Sequence, residues 1–193
     1  MKIVRYFHNK MNHRAVLHHG QVLSLQTDLS VLGVLNLPRV ERDYLEGQSG
    51  KYLKAPMGLY PFAAPLDGDD LKALVLGEAK LNPENLFGSG AVVALPTPGT
   101  VRAEAAVVGV SSESKEVLGH CLLVSLYRSG TVEPFASVLG PYITTVDELK
   151  EDSALELKVS VEGSGTGLDQ LAPGDKVLVS TPALGQLELS LQS

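Results

Sequence analysis

Arg102-Ala103-Glu104 sets a cation and a carboxylate two residues apart within VRAEAAVVGV, on one face if that run is a strand. Such a pair has two readings. The side chains neutralise each other, or the planar guanidinium takes the carboxylate of a bound organic acid. Other reactive residues are less well placed. His8, His13, His18 and His19 are close in sequence, but a zinc site needs three or four convergent ligands, and a hairpin with exposed imidazoles is the simpler expectation. His120 and Cys121 are adjacent, so in a strand they point to opposite faces and form no dyad. Cys121 is expected to act as a small buried hydrophobe. Ser125 and Ser180 have no sequence-local base and no GxSxG frame. GSGTG at 163–167 lacks the lysine of a phosphate loop and reads as a turn. These residues by themselves name no catalytic group.

The chain that must position them has 193 residues and a mean hydropathy of +0.11, enough for one substantial core. Aromatics make up only 5 % and tryptophan is absent, so Val, Leu and Ala must supply most of the packing. The net charge of −6, without a clustered basic stripe, argues against a nucleic-acid partner. One cysteine leaves no disulfide or thiolate metal site within the chain. The start, MKIVRYFHNKMNHR, is charged where a secretory segment is apolar, and no run approaches the ~20 apolar residues of a membrane helix. A soluble cytoplasmic protein without membrane contact is expected.

Short strands with Pro/Gly punctuation predict a mainly β fold with minor α. MKIVRYF alternates as a half-buried strand, and RAVLHHGQVLSLQ reads as a hairpin turning at His19-Gly20. DLSVLGVLNLP predicts a short helix after Asp28 or Ser30, ended by Pro38, and ERDYLEGQSG reads as an exposed polar stretch. Three prolines make 51–70 an extended connector. LKALVLGEA, AVVALP, VRAEAAVVGV, LELKVSVEG, DKVLVSTP and QLELSLQ read as strands, with a turn at PTPGT. EVLGHCLLVSLYR is strand or helix, since an apolar run does not separate them. Thr145-Val-Asp-Glu148 has capping-box spacing. The expected division is a small N-terminal β module and connector over 1–64 and a main β body over 65–193.

Five stretches, in order, resemble the fumarylacetoacetate hydrolase (FAH) family, on the side of 2-hydroxyhepta-2,4-diene-1,7-dioate isomerase-type proteins. They are APLDGDDLKALVLGEA, FGSGAVVALPTPGTVRAEAAVVGV, GHCLLVSLYRSG, LGPYITTVDEL and LAPGDKVLVSTPALG, spanning roughly residues 60 to 190. The resemblance implies a β-roll body and a homodimer. It also implies a hydrolase, isomerase or decarboxylase acting on 2-oxo or 1,3-dicarbonyl acids in aromatic compound catabolism. Carboxylates of such enzymes hold Mg²⁺ or Mn²⁺ as a Lewis acid.

Carried over position by position, the implied site is altered. The Glu-x-Glu pair falls on Arg102 and Glu104, leaving Glu104 as the one metal candidate. The Asn-Asp pair falls on Val124-Ser125, and the Gly-Lys pair on Gly130-Thr131. The Gly-Thr-Pro loop becomes Ser180-Thr181-Pro182, and KLNPEN stands where a helix with a His-x-x-Glu pair belongs. Substrate contacts would then come from Arg102, Thr131 and Thr181. The expected function is a small organic-acid binder or a non-catalytic, regulatory subunit (a pseudoenzyme) with no cofactor. The alternatives are an active hydrolase, isomerase or decarboxylase with an altered site, and a heteromer with a longer paralogue. Whether it is an enzyme stays open, as does a metal site rebuilt by Glu41, Asp43 or Glu46.

Overall fold

The computed structural model describes residues 1–50, 54–96, 100–149, 155–165 and 167–193. Two hairpins open the chain. Strand β1 (Lys2–His8) turns through Asn9-Lys10 into β2 (Met11–His18), and His19-Gly20 leads into β3 (Gln21–Ser24). All four turn residues have positive φ, the geometry that matches strand twist in a two-residue turn. Helix α1 (Val31–Leu35) starts as expected, with Ser30 Oγ accepting from Gly33 N at 3.1 Å. ERDYLEGQ, expected as an exposed stretch, is part of a second helix, α2 (Arg39–Gln48). It follows Pro38, carries an Arg39–Asp43 pair at 3.7 Å and fully buries no residue, and its polar composition is what made it read as an exposed stretch.

Short pieces follow: β4 (Lys54–Pro56), β5 (Phe62–Ala63), β6 (Leu74–Val75), β7 (Leu86–Gly88) and β8 (Ala91–Ala94). LKALVLGEA, expected as one strand, pairs only at Leu74 and Val75, because a 3-10 turn occupies Gly68–Ala73. The turn expected at PTPGT lies largely outside the described residues. The long strands are β9 (Val101–Ser111), β10 (Val117–Arg128) and β11 (Ala136–Thr145), followed by β12 (Lys158–Glu162), β13 (Lys176–Thr181) and β14 (Gly185–Gln192). The ambiguous run EVLGHCLLVSLYR is therefore strand. Its apolar continuity reflects burial on both faces.

The large sheet runs β4-β3-β2-β1-β11-β10-β9-β6, with β5 beside β1 and β7 beside β11. It crosses the expected boundary at residue 65, since β1 pairs antiparallel with β11 through Lys2–Thr144 and Ile3–Ile143. The second sheet is β12-β13-β14-β8. Between the sheets, Leu122, Val124 and Leu126 pack against Val177, Val179, Leu187 and Leu189. On the other face of the large sheet, Val108, Cys121, Leu123, Leu139 and Ile143 are covered by Val31, Val34 and Leu35 of α1. Burial pushes the Cys121 thiol up to about 12, the inert state expected of a buried cysteine. Together these layers form a mainly β architecture with minor α.

The turn at Thr145 forms, with its carbonyl accepting from Glu148 N at 3.0 Å. The capping box does not close, because Thr145 N donates to Met1 O instead, at 3.0 Å.

Candidate functional site

The α1-covered core ends in a polar patch. Along β9 the side chains of Ala106 and Val108 belong to that core, and strand alternation puts Glu104 and Arg102 next on the same face. Antiparallel register then sets Ser125 opposite Glu104 and Tyr127 opposite Arg102. One strand further, Ser137 of β11 lies opposite Ser125. Three strands thus bring two charges, a phenol and two hydroxyls together.

The charges engage each other. Arg102 Nη1 donates to Glu104 Oε1, and its guanidinium sits 4.2 Å from the Tyr127 ring centroid, a cation–π arrangement. The Arg102 hydrogen bond is the main cause that holds the Glu104 carboxyl below its ordinary range. Partial burial opposes it, and Tyr127 and the charges of Arg102 and Lys80 add to it. Tyr127 is pushed up to about 12, by burial first and then by its bond to Glu104. The Arg102→Leu variant should return the Glu104 carboxyl toward its ordinary range, followed by its carbon shift against pH. An unmoved titration would show that Arg102 does not set it.

A loop closes the rest of the patch. Ser125 Oγ donates to Lys80 O, and Ser137 Oγ, 3.3 Å away, accepts from Asn82 N at 2.9 Å. Asn82 Nδ2 donates to Pro134 O at 3.1 Å and Phe135 O at 3.2 Å, while its Oδ1 accepts from Glu84 N and Asn85 N. Lys80 Nζ pairs with Glu133 at 2.7 Å. The segment KLNPEN is therefore stapled across the sheet end at Ser125, and its backbone takes the hydroxyl that a ligand would need.

The positions to which the resemblance assigns carboxylates do converge, as Arg102, Glu104 and Ser125. Their chemistry does not fit a divalent cation. One carboxylate is bound to a guanidinium, and the hydroxyl is committed to a carbonyl. A hard cation asks for several oxygen ligands and no adjacent cation. Among the described residues no group of three His, Cys, Asp or Glu could hold a metal ion. Of the α2 carboxylates, Asp43 pairs with Arg39 at 3.7 Å and Glu46 with His18 at 3.5 Å.

The other expected contacts lie elsewhere. Thr131 is exposed in the turn after β10, with Oγ1 donating to Arg128 O at 2.9 Å. Thr181 is buried at the end of β13, and its Oγ1 accepts from Leu184 N at 2.9 Å. The neighbouring Ala183 O meets Thr144 Oγ1 at 3.1 Å, seven residues along β11 from Ser137, or roughly 23 Å of strand. Ser180 pairs with Lys158 across the small sheet. His13 stacks on Tyr6 at 5.3 Å, and His18 meets His19 edge-on at 4.3 Å. His120 lies opposite Thr144 and Gly109, several residues from the patch. Sequence reasoning missed Tyr127, Ser137 and Asn82. The Asn-Pro-x-Asn spacing was the available signal for a side-chain-capped turn.

No family model matches the sequence, and no curated protein matches it. Solved structures match along its whole length. Maleylpyruvate hydrolase from Sphingobium sp. SYK-6, in complex with manganese(II) and pyruvate, has 13 % identity and a TM-score of 0.74, covering 100 % of both chains. The chain has the FAH fold. 2-Keto-3-deoxy-D-arabinonate dehydratase, complexed with magnesium and 2,5-dioxopentanoate, superposes with a TM-score of 0.67 at 13 % identity, covering 100 % of this chain and 99 % of that one. The FAH fold thus accounts for the two-sheet body. At these identities the likeness concerns the fold alone.

Proposed function

We propose that this protein is a non-catalytic relative of the FAH-family enzymes, a cytoplasmic dimeric subunit that binds a small carboxylic acid without metal. The observation that carries the reading is the Arg102–Glu104 pair stacked on Tyr127. A guanidinium fixed over a ring is pre-oriented for bidentate contact with a carboxylate. An incoming acid takes the place of Glu104 on Arg102. The exchange substitutes one ion pair for another, so affinity stays modest.

Calorimetric titration with Mg²⁺ and Mn²⁺, with and without oxalate, tests it. The expected result is no metal binding, with oxalate binding that disappears in Arg102→Ala. Micromolar metal binding, tightened by oxalate and abolished in Glu104→Ala, would replace this reading by the second one. In that second reading the protein is an active hydrolase, isomerase or decarboxylase on a 2-oxo acid with Glu104 as a metal ligand. Its support is that the two structural neighbours above were crystallised with a divalent metal and an oxo acid. Silence toward metal and oxalate, with a longer paralogue copurifying, favours a heteromeric partner subunit.

A further inference from the structure

A cavity of about 700 Å³ opens between three segments distant in sequence: the connector at 57–62, the β7–β8 turn and β14. It shares no lining residue with the Arg102–Glu104 patch. The chain has six tyrosines, four phenylalanines and no tryptophan. Four of these ten rings gather here: Tyr60, Phe62 and Phe87 line the space, and Tyr6 stacks behind Tyr60 at 5.5 Å. His8 packs on the same Tyr60 ring at 4.6 Å. Scarce rings concentrated on one cavity are a stronger signal than the same rings in an aromatic-rich chain.

The walls are fixed by backbone contacts. Phe7 N donates to Pro61 O at 2.9 Å, and Phe62 pairs with Tyr6 across β5 and β1. A Cβ on Gly88 would stand 2.1 Å from Phe62 O, so these two backbones touch. On the third side Gly90 N donates to Glu188 O at 2.7 Å, and Glu188 N donates to Ser89 Oγ at 3.0 Å. A cavity bounded this way is formed before any ligand arrives, which lowers the ordering cost of binding.

Among the described lining residues one is charged, Glu188. Glu188 pairs through Oε1 with Lys176 at 2.7 Å, so a ligand N–H would be taken by its second carboxylate oxygen. An anion there meets the Glu188 carboxylate, and an ammonium meets Lys176 beside it. A hydrocarbon covers a carboxylate without giving it a hydrogen bond. We propose that this cavity binds a small uncharged planar heterocycle carrying an N–H donor, with the ring among Tyr60, Phe62 and Phe87 and the N–H on Glu188.

Indole is the probe, since the tryptophan-free chain adds no indole emission of its own. Its fluorescence, titrated with protein, should change saturably with a Kd of ~0.1–1 mM. Leu59 lines the cavity yet is 60 % exposed, so Leu59→Glu leaves the fold intact and should weaken binding at least tenfold. Phe87→Ala should do the same with unchanged circular dichroism. Benzofuran, which lacks the N–H, and indole-3-acetate, which is anionic, should bind at least tenfold more weakly in competition. Absence of saturation at millimolar concentration overturns the proposal, as does an affinity unmoved by Leu59→Glu. Benzofuran equal to indole overturns the Glu188 contact. None of these outcomes depends on oxalate or metal, so this site and the Arg102 reading fail or stand separately.

Discussion

Asp175→Asn should lower the unfolding free energy by about 3 kcal/mol. Asp175 is fully buried in the turn of LAPGD, and its carboxylate organises a second loop at Ser164-Gly165. Oδ1 accepts from Ser164 N at 2.8 Å and Gly165 N at 3.1 Å, and Oδ2 accepts from Ala172 N at 2.7 Å. Asparagine keeps one acceptor but turns an NH₂ toward a backbone N–H, leaving buried donors face to face. The loop is built around the carboxylate: a Cβ on Gly163 would lie 2.2 Å from Oδ1, and one on Gly165 2.3 Å from Oδ2.

Burial is the largest single influence on the Asp175 carboxyl and raises it, but the bonds from Ala172, Gly165 and Ser164 together leave it lowered. A depressed folded value contributes stability above the unfolded carboxyl range of about 3.9, and that contribution disappears as pH falls through the folded value. Denaturant unfolding of wild type and Asp175→Asn, repeated between neutral and acid pH, checks both parts. The gap should be widest near neutrality and narrow toward acid. A neutral-pH gap below about 1 kcal/mol would contradict the assigned role.

Gly88→Ala should cost about 3 kcal/mol. The new methyl would meet Phe62 O at 2.1 Å and Ala63 C at 2.5 Å. Both are backbone atoms, with no side-chain rotation to relieve them, so β5 must move off β7. Gly90→Ala is the control. Its added methyl meets nothing within 4 Å, but the φ of +87° is unfavourable to alanine, costing about 1 kcal/mol. Chemical denaturation of the two variants separates steric contact from backbone conformation. A larger loss for Gly90→Ala would mean that the two strands do not touch closely at Gly88.

These two sites show how sequence and structure divided the information. PGD reads locally as a tight turn, and GSGTG reads locally as a loop. Nothing in either stretch says that one carboxylate joins them, because the contact bridges two loops separated by their own fold path. Gly88 likewise ends β7 within an unremarkable FGSG stretch, and only the approach of β5 makes its missing side chain necessary.

At the level of elements, alternation in MKIVRYF, the His19-Gly20 turn and the Ser30 cap could all be read directly, because each depends on neighbours a few residues away. Helix α2 was not read. It is polar overall and buries no residue fully, so it read as an exposed stretch, although the i,i+4 spacing of Arg39 and Asp43 was a helical signal in the sequence.

For the candidate site, residue order alone determined that Arg102 and Glu104 share a face and that His120 and Cys121 do not. Only the tertiary structure decided that Tyr127, Ser125 and Ser137 join that face, that KLNPEN is stapled across it, and that Thr131 and Thr181 are engaged elsewhere. The physical reason is that side-chain direction has a period of two along any strand, whereas strand register is a long-range choice. That choice is made by burial of Leu122, Val124 and Leu126 on one side of the sheet and Cys121, Leu123 and Leu139 on the other.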